Sequence, residues 1–243
     1  MVLFTKTADG FESQFGINHL DHFALARLLI DPLLHSQALR VANIGSDAHR
    51  FGRMNIDRIV GEDGNVYSPS RAYARSKLAN LLFTYESQRQ LDARRLHTLA
   101  LAAHPDISFT NLGQHLEKRW TSKRTRHLSR LWMQSAAMGA MPALRAAVDP
   151  DVSSGEYFGL DSLFGFRSSP IVVSCSWAAR NDALAQDLWQ ISEDLTGVSI
   201  LWQCFARRIT LNRDDSCVGQ DVPDGFFLKG DIAVLPPASR SRS

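Results

Sequence analysis

Short apolar runs alternate with longer stretches of helical periodicity between residues 9 and 197. Leu39–Ser46 and Leu96–Ala103 have the length and composition of buried strands, and Ile171–Ser174 is a weaker third candidate. Strands that alternate with helices build βαβ units, in which the strands run parallel. The pattern therefore predicts an α/β fold with a mostly parallel sheet. Helices are predicted at 9–35, 72–93, 138–148 and 178–195.

Single residues mark where these helices begin, bend or end. Pro32 is expected to bend or end the first helix, because proline lacks the N–H group that a helix interior uses. Ser70 is a candidate N-cap for the second helix, and Gly197 is a candidate stop for the last. Residues 47–70 are polar and contain several glycines, which predicts a long loop of the kind that often carries function.

The composition is that of one ordinary globular domain, with 44% hydrophobic and 21% charged residues in a chain of 243. The 27 Lys and Arg residues nearly balance the 25 Asp and Glu residues, so charge gives no argument for a nucleic-acid partner. No apolar run approaches the roughly 18 residues that a membrane-spanning helix needs. Helical periodicity is lost after Val198, which predicts an α/β region over 1–198 and an irregular tail over 199–243.

The cysteine and histidine patterns give no argument for a metal site. The three cysteines are odd in number and lack C-x-x-C spacing, which argues against a disulfide framework and predicts a reducing, cytoplasmic location. His19 and His22 lie three residues apart on a predicted helix, but no third ligand is near in sequence. We therefore expect packing or hydrogen bonding, and no metal, for His19, His22 and His49.

The clearest chemical feature is the Tyr73-Ala-Arg-Ser-Lys77 segment at the start of a predicted helix. Residues four apart share one helix face, so the Lys77 ammonium would lie near the Tyr73 phenol and lower its pKa. Ser46 ends a predicted strand, which is where open α/β sheets bind ligands. Its hydroxyl could hydrogen-bond a carbonyl oxygen while Tyr73 protonates it. Asn18 could hold a water for proton relay.

A Tyr-x-x-x-Lys spacing also occurs by chance, and a surface Tyr/Lys pair is its common explanation. Here the pair follows a strand-ending serine and a loop, and it opens an Ala/Leu-rich helix. That arrangement favours a functional role for Tyr73 and Lys77.

Five segments together resemble the short-chain dehydrogenase/reductase family, in particular its retinol-dehydrogenase-like and actinobacterial members. The resemblance covers about residues 7–198, with the segments in the family's order. It implies a doubly wound, Rossmann-like parallel sheet, of which this chain would hold the carboxyl-terminal portion. The segments are TADGFESQFGINHLDHFALARLL, RVANIGSDAHRFG, AYARSKLANLLFTYE, ALAAHPDISFTNL and LWQISEDLTGV.

The resemblance implies a role for each residue of the predicted site. Asn18 matches the family's active-site Asn, and Ser46 matches the Ser that binds the substrate carbonyl. Tyr73 would be the general acid/base, while Lys77 would tune it and hydrogen-bond the nicotinamide ribose. The implied reaction is hydride transfer between NAD or NADP and a small apolar alcohol or carbonyl substrate.

The same resemblance implies a cofactor loop and a mode of assembly. Pro105, Ser108 and Thr110 match the loop that closes over the nicotinamide carboxamide and the pyrophosphate. The basic segment 118–130 falls in the family's variable substrate lid, and its six Lys and Arg residues are expected to form a solvated helix face. Family members often pair through the helix that carries this tyrosine, which leaves a homo-oligomer open.

Several positions depart from the family pattern. No glycine here gives the T-G-x-x-x-G-x-G spacing after a strand, so we expect the segment that binds adenosine and pyrophosphate to be missing. Leu39–Ser46 would then lie at a sheet edge. Asp106 and Gly45 replace a glycine and a serine of the family. The alternative to an active enzyme is therefore an inactive, truncated remnant that cannot bind the cofactor alone and is non-enzymatic or dependent on a partner.

Overall fold

A computed structural model describes residues 2–34, 40–56, 59, 67–105, 136–161 and 169–199. The predicted cofactor-loop residues Ser108 and Thr110 lie outside the described residues, as do Asp106 and the basic segment 118–130. The same is true of the predicted tail beyond Ser199.

Four strands form one sheet in the order β1-β2-β3-β4 among the described residues. β1 is parallel to β2 and β2 is parallel to β3, while β4 runs antiparallel to β3. This confirms the predicted α/β fold and its mostly parallel sheet. β1 pairs only with β2 and so lies at the edge of the described sheet. The strands are Arg40–Ile44 (β1), Leu99–Ala103 (β2), Tyr157–Leu160 (β3) and Pro170–Val172 (β4).

The first helical segment is interrupted by a wider turn. It begins as Ser13–Phe15 (α1), widens to a π-helical turn at Gly16–Leu20 and continues as Asp21–Leu34 (α2). The Glu12 carboxylate accepts backbone N–H bonds from Gln14 and Phe15 and so caps its start. The helix passes Pro32 by two residues, so Pro32 does not end it there.

The helix that carries the Tyr/Lys pair spans Pro69–Ala93 (α3). Its N-cap is Ser68 and proline occupies the first turn, where a missing N–H costs nothing. The prediction that Ser70 caps this helix was therefore wrong, because the helix already includes it. The predicted loop 47–70 also contains a 3₁₀ helix, Asp47–Phe51, directly after β1.

Helices cover both faces of the sheet. On one face, Leu78 and Leu82 of α3 join a buried cluster with Ala102 of β2 and Leu188. On the other, Ala146 packs with Leu101, Ala103 and Phe158. The helices that supply Ala146 and Leu188 are Ala136–Val148 (α4) and Asp182–Thr196 (α5), the latter preceded by a 3₁₀ helix at Trp177–Arg180.

Gly197 ends α5 in the left-handed conformation, with φ of 67°, as its position predicted. None of the described helices is long and apolar enough to cross a membrane.

Candidate active site

Ser46 and Tyr73 are brought together at the carboxyl end of β1. Ser46 follows the last residue of β1 by two positions, in an extended conformation, and its hydroxyl oxygen accepts the Ala48 N–H at 3.2 Å. Tyr73 approaches it from the first turns of α3, close enough for the Ser46 hydroxyl to lower the pKa of the phenol. The structure thus brings the two predicted residues together from different elements.

Burial raises the pKa of the Tyr73 phenol above its usual value of 10.0, and the nearby Ser46 hydroxyl opposes that rise. We predicted a lowered pKa because of Lys77. In the structure the Lys77 ammonium lies 5.8 Å from the centre of the Tyr73 ring and donates to the Ile44 carbonyl at 3.0 Å. The desolvation of the phenol dominates in this arrangement, so the prediction of direction was wrong.

Asn18 joins the same cluster through the π-helical turn. Its side-chain Nδ2 donates to the Ser76 hydroxyl at 3.0 Å, and Ser76 in turn donates to the Tyr73 carbonyl at 2.8 Å. Such π-helical turns often occur at functional sites, because they redirect side chains within a helix. Asn18 is therefore tied to the turn of α3 that presents Tyr73.

Asn80 is a polar residue of the site that the sequence did not single out. It is buried, and its Nδ2 donates at 3.2 Å to the Ile44 carbonyl that also accepts from Lys77. The signal in the sequence was its spacing, since Asn80 lies three residues after Lys77 and so shares its helix face. These two donors attach α3 to the last residue of β1.

Three aromatic side chains form a cluster that reaches the site through the His49 bond to the Ser46 carbonyl. The buried His49 ring meets the Tyr157 ring edge-on, with 5.6 Å between centroids, and the His104 ring lies 5.1 Å from Tyr157 on another side. Burial lowers the pKa of His49 and raises that of Tyr157.

The histidine predictions can be compared with these contacts. His19 contacts Ser192 at 2.9 Å and His49 contacts Ser46 and Ser176, so hydrogen bonding is confirmed for both. Within the described ranges, no group of three or more His, Cys, Asp or Glu side chains is placed to hold a metal ion.

Pro105 follows β2 by two residues, beside the carboxyl end of β1, because the parallel register pairs Ile44 with Ala103. The described part of the cofactor loop thus begins at the same edge of the sheet as Ser46. The roles predicted for Pro105, Ser108 and Thr110 stay predictions.

Comparison with known proteins gives no match to a family model. The chain is 35% identical to mouse (Mus musculus) retinol dehydrogenase 14 over 198 residues, which covers 80% of this chain and 55% of that protein. It is 34% identical to human (Homo sapiens) polyprenol dehydrogenase over 203 residues, covering 82% and 58% of the two chains. A crystal structure of an uncharacterized protein from Mycobacterium paratuberculosis matches with a TM-score of 0.65 and 38% identity, over 82% of this chain and 64% of that one.

With this fold and these relatives, the chain belongs to the short-chain dehydrogenase/reductase family. Within that family, its similarity is to the retinol dehydrogenases. The chain spans somewhat more than half the length of the curated relatives it matches.

Proposed function

We propose that this chain carries the catalytic residues of an NAD- or NADP-dependent oxidoreductase that interconverts an alcohol and a carbonyl on an apolar substrate. The observation that carries the proposal is the approach of Tyr73 to Ser46 at the carboxyl end of β1, with Lys77 and Asn18 attached to the same turns. A hydroxyl beside a phenol provides two donors that can converge on one carbonyl oxygen.

Each residue has a distinct task in this reaction. The Ser46 hydroxyl would hold the substrate oxygen by donating a hydrogen bond. In reduction, the Tyr73 O–H proton passes to that oxygen as the carbonyl carbon gains a hydride, and in oxidation the alcohol proton returns to Tyr73. Lys77 would hydrogen-bond the nicotinamide ribose, and Asn18 would hold a water on the path of proton return.

The residues of the cluster fit a nicotinamide nucleotide, which when bound supplies or accepts the hydride. Lys77 is almost fully buried beside Tyr73, where an ammonium donor suits the hydroxyls of a ribose. Pro105, together with Ser108 and Thr110, would hold the nicotinamide end. Selection between NAD and NADP would depend on contacts to the adenosine ribose.

The names of the relatives favour an apolar substrate. Retinol and polyprenol, after which two of them are named, are both long apolar alcohols. A substrate of that class would need polar contacts only at its reacting oxygen, and Ser46 and Tyr73 would supply these at one edge of the sheet.

Titration of the purified chain with NADH and NADPH, followed by nicotinamide fluorescence, tests cofactor binding. Saturable binding in the micromolar range is expected. Lys77→Ala should lose this binding, and Lys6→Ala, which removes an exposed lysine, should keep it. No binding by a folded chain would favour the inactive remnant and end the enzyme proposal.

Turnover then tests the role of Tyr73. With retinaldehyde or another apolar carbonyl, Tyr73→Phe should lower kcat by about a hundredfold or more. Tyr67→Phe, at a tyrosine whose hydroxyl donates to Glu12 outside the cluster, should keep most of it. An unchanged rate in Tyr73→Phe would contradict the acid/base role.

A cytoplasmic location and a homo-oligomer stay predictions. Light scattering of the purified chain would determine its mass in solution. Cell fractionation would determine where the chain resides.

A further inference from the structure

We propose that His49 is a positioning residue of the site: its neutral ring fixes Ser46 by joining the Ser46 carbonyl to the backbone N–H of Ser176. The inference rests on the proposed function, since it concerns how the Ser/Tyr pair is held. His49 lies in the 3₁₀ helix after β1, and both of its ring nitrogens are bonded to backbone groups of the protein. Its role would be exercised through Ser46.

The partners of the His49 ring determine its protonation state. Nδ1 lies 2.7 Å from the Ser46 carbonyl oxygen, which can only accept, so Nδ1 must carry a proton. Nε2 lies 3.0 Å from the Ser176 nitrogen, whose N–H can only donate, so Nε2 must be bare. The ring is therefore neutral, as its lowered pKa also indicates, and in one tautomer.

His49 holds Ser46 from two atoms. Its backbone N–H donates to the Ser46 carbonyl oxygen at 3.0 Å, in addition to the ring Nδ1–H. The Ser46 hydroxyl itself accepts from the Ala48 N–H and lies near the Tyr73 phenol. With its carbonyl held by two donors, the Ser46 backbone has little freedom to move, so the position from which its side chain faces Tyr73 is fixed.

The far side of the ring is attached to a braced segment. The loop 173–176 that supplies the Ser176 N–H is also held by Arg50, which donates to the Ser174 carbonyl and, at 3.4 Å, to its hydroxyl. Tyr85 of α3 donates to the Cys175 sulfur at 3.3 Å. His49 thus connects the end of β1 to a loop that follows β4 and is itself attached to α3.

Three substitutions of His49 distinguish the effect of its bond to Ser46 from the effect of its bond to Ser176. His49→Asn places an amide N–H near the position of Nδ1 and keeps the bond to Ser46. His49→Gln places an amide oxygen near Nε2 and keeps the bond to Ser176, and His49→Phe keeps the ring volume but neither bond. His97→Phe is the matched control, because His97 is exposed.

We expect His49→Phe to lower kcat by about ten- to a hundredfold with little change in KM, because small displacements of a reacting group reduce rates by that order. His49→Asn should retain more activity than His49→Phe, and His97→Phe should behave as the unsubstituted chain. A folded His49→Phe variant with unchanged kcat, or one no worse than His49→Asn, would overturn the inference.

Two NMR measurements decide the inference even where the unsubstituted chain shows no turnover and the proposed function fails. Long-range ¹H–¹⁵N spectra should show the His49 ring protonated at Nδ1 alone at neutral pH, and the opposite tautomer would overturn the inference. With ¹³Cζ-labelled tyrosine, assigned by Tyr73→Phe, the Tyr73 resonance should shift in His49→Phe and stay in place in His97→Phe. An unshifted resonance in His49→Phe would show that Ser46 is held without the ring.

Discussion

The Tyr157 ring lies directly against the backbone of Gly45. A Cβ atom built on Gly45 would stand 3.0 Å from Cε2 of Tyr157 and 3.2 Å from its hydroxyl oxygen, which is closer than ordinary carbon contacts. Tyr157 is fully buried, and its hydroxyl has no hydrogen-bond partner among the residues that the structure describes. The glycine that departs from the family's serine, just before Ser46, thus makes room for this ring.

Gly45→Ala should therefore destabilise the fold by about 1–3 kcal/mol, the usual cost of overpacking a core. Tyr157→Phe alone should be nearly neutral, because the hydroxyl that it removes is buried without a partner. Combined with Gly45→Ala, it should recover part of the loss, since one of the two close contacts disappears. Urea unfolding measures the stability of the two single variants and the double variant. If the stability changes of the single variants simply add in the double variant, the contact between Gly45 and Tyr157 is contradicted.

The acid limb of the stability profile should depend on His19. Burial lowers its pKa from 6.5 to about 3, so the unfolded chain binds a proton that the folded chain rejects between these values. The stability that the neutral ring contributes is fully present above pH 6.5 and is lost as the pH falls toward 3, at up to about 1.4 kcal/mol per pH unit.

His19→Phe should flatten this acid limb, since phenylalanine does not titrate. Ser192, which contacts His19, keeps a bond to the Leu188 carbonyl at 2.7 Å, so the substitution leaves its hydroxyl donor satisfied. Urea unfolding of both chains at several pH values between 7 and 4 provides the comparison. Parallel profiles would show that another group governs the acid limb.

Glu12 should be among the most sensitive charged positions. Its carboxylate is buried, caps α1, accepts from Tyr67 at 2.9 Å and lies 3.5 Å from the Arg75 guanidinium. Glu12→Ala should cost about 3–5 kcal/mol, because it removes one partner of a buried ion pair. Glu12→Gln keeps an acceptor oxygen and should cost less. Chemical denaturation ranks the two, and equal costs would show that the charge contributes little.

Trp189 and Trp177 provide a matched pair for packing. The Trp189 ring is buried, stacks on Phe83 at 5.6 Å and meets Phe23 edge-on at 5.2 Å, whereas Trp177 is 93% exposed. Trp189→Ala should cost about 3–5 kcal/mol, and Trp177→Ala should stay within about 0.5 kcal/mol. Thermal or urea unfolding tests this difference. Similar losses would mean that Trp177 packs against something in the folded chain.

The sequence predicted β1, β2 and the long helices well, because each carries a repeated apolar pattern over several turns or pleats. It did not predict β3, because this strand has only four residues, includes Gly159 and shows no alternation of apolar and polar residues. It also gave no indication that β4 runs antiparallel, since strand direction depends on how the chain connections pack.

The sequence predicted residues that lie together in the structure, and their roles stay predictions. It did not predict the bonds among them. Asn18, Ser46 and Tyr73 were identified from type and spacing, and the structure brings them together. The π-helical turn, the role of Asn80 and the bonds of His49 depend on which groups meet across elements that are distant in the chain. For Tyr73 the burial that sets its pKa is a property of the folded surroundings, which spacing alone cannot reveal.

The parallel pairing of the central strands also determines how the chain can fold. Arg40 pairs with Leu99 and Ala102 pairs with Tyr157, so each pairing closes a long stretch of intervening chain. The entropy lost in closing such a stretch is offset only after the intervening chain has become ordered. Folding is therefore slower than for a bundle of helices. The backbone hydrogen bonds of α3 are local, and in the chain α3 lies between the two strands of the first pairing. We therefore expect this helix to order early and the sheet to close on it last.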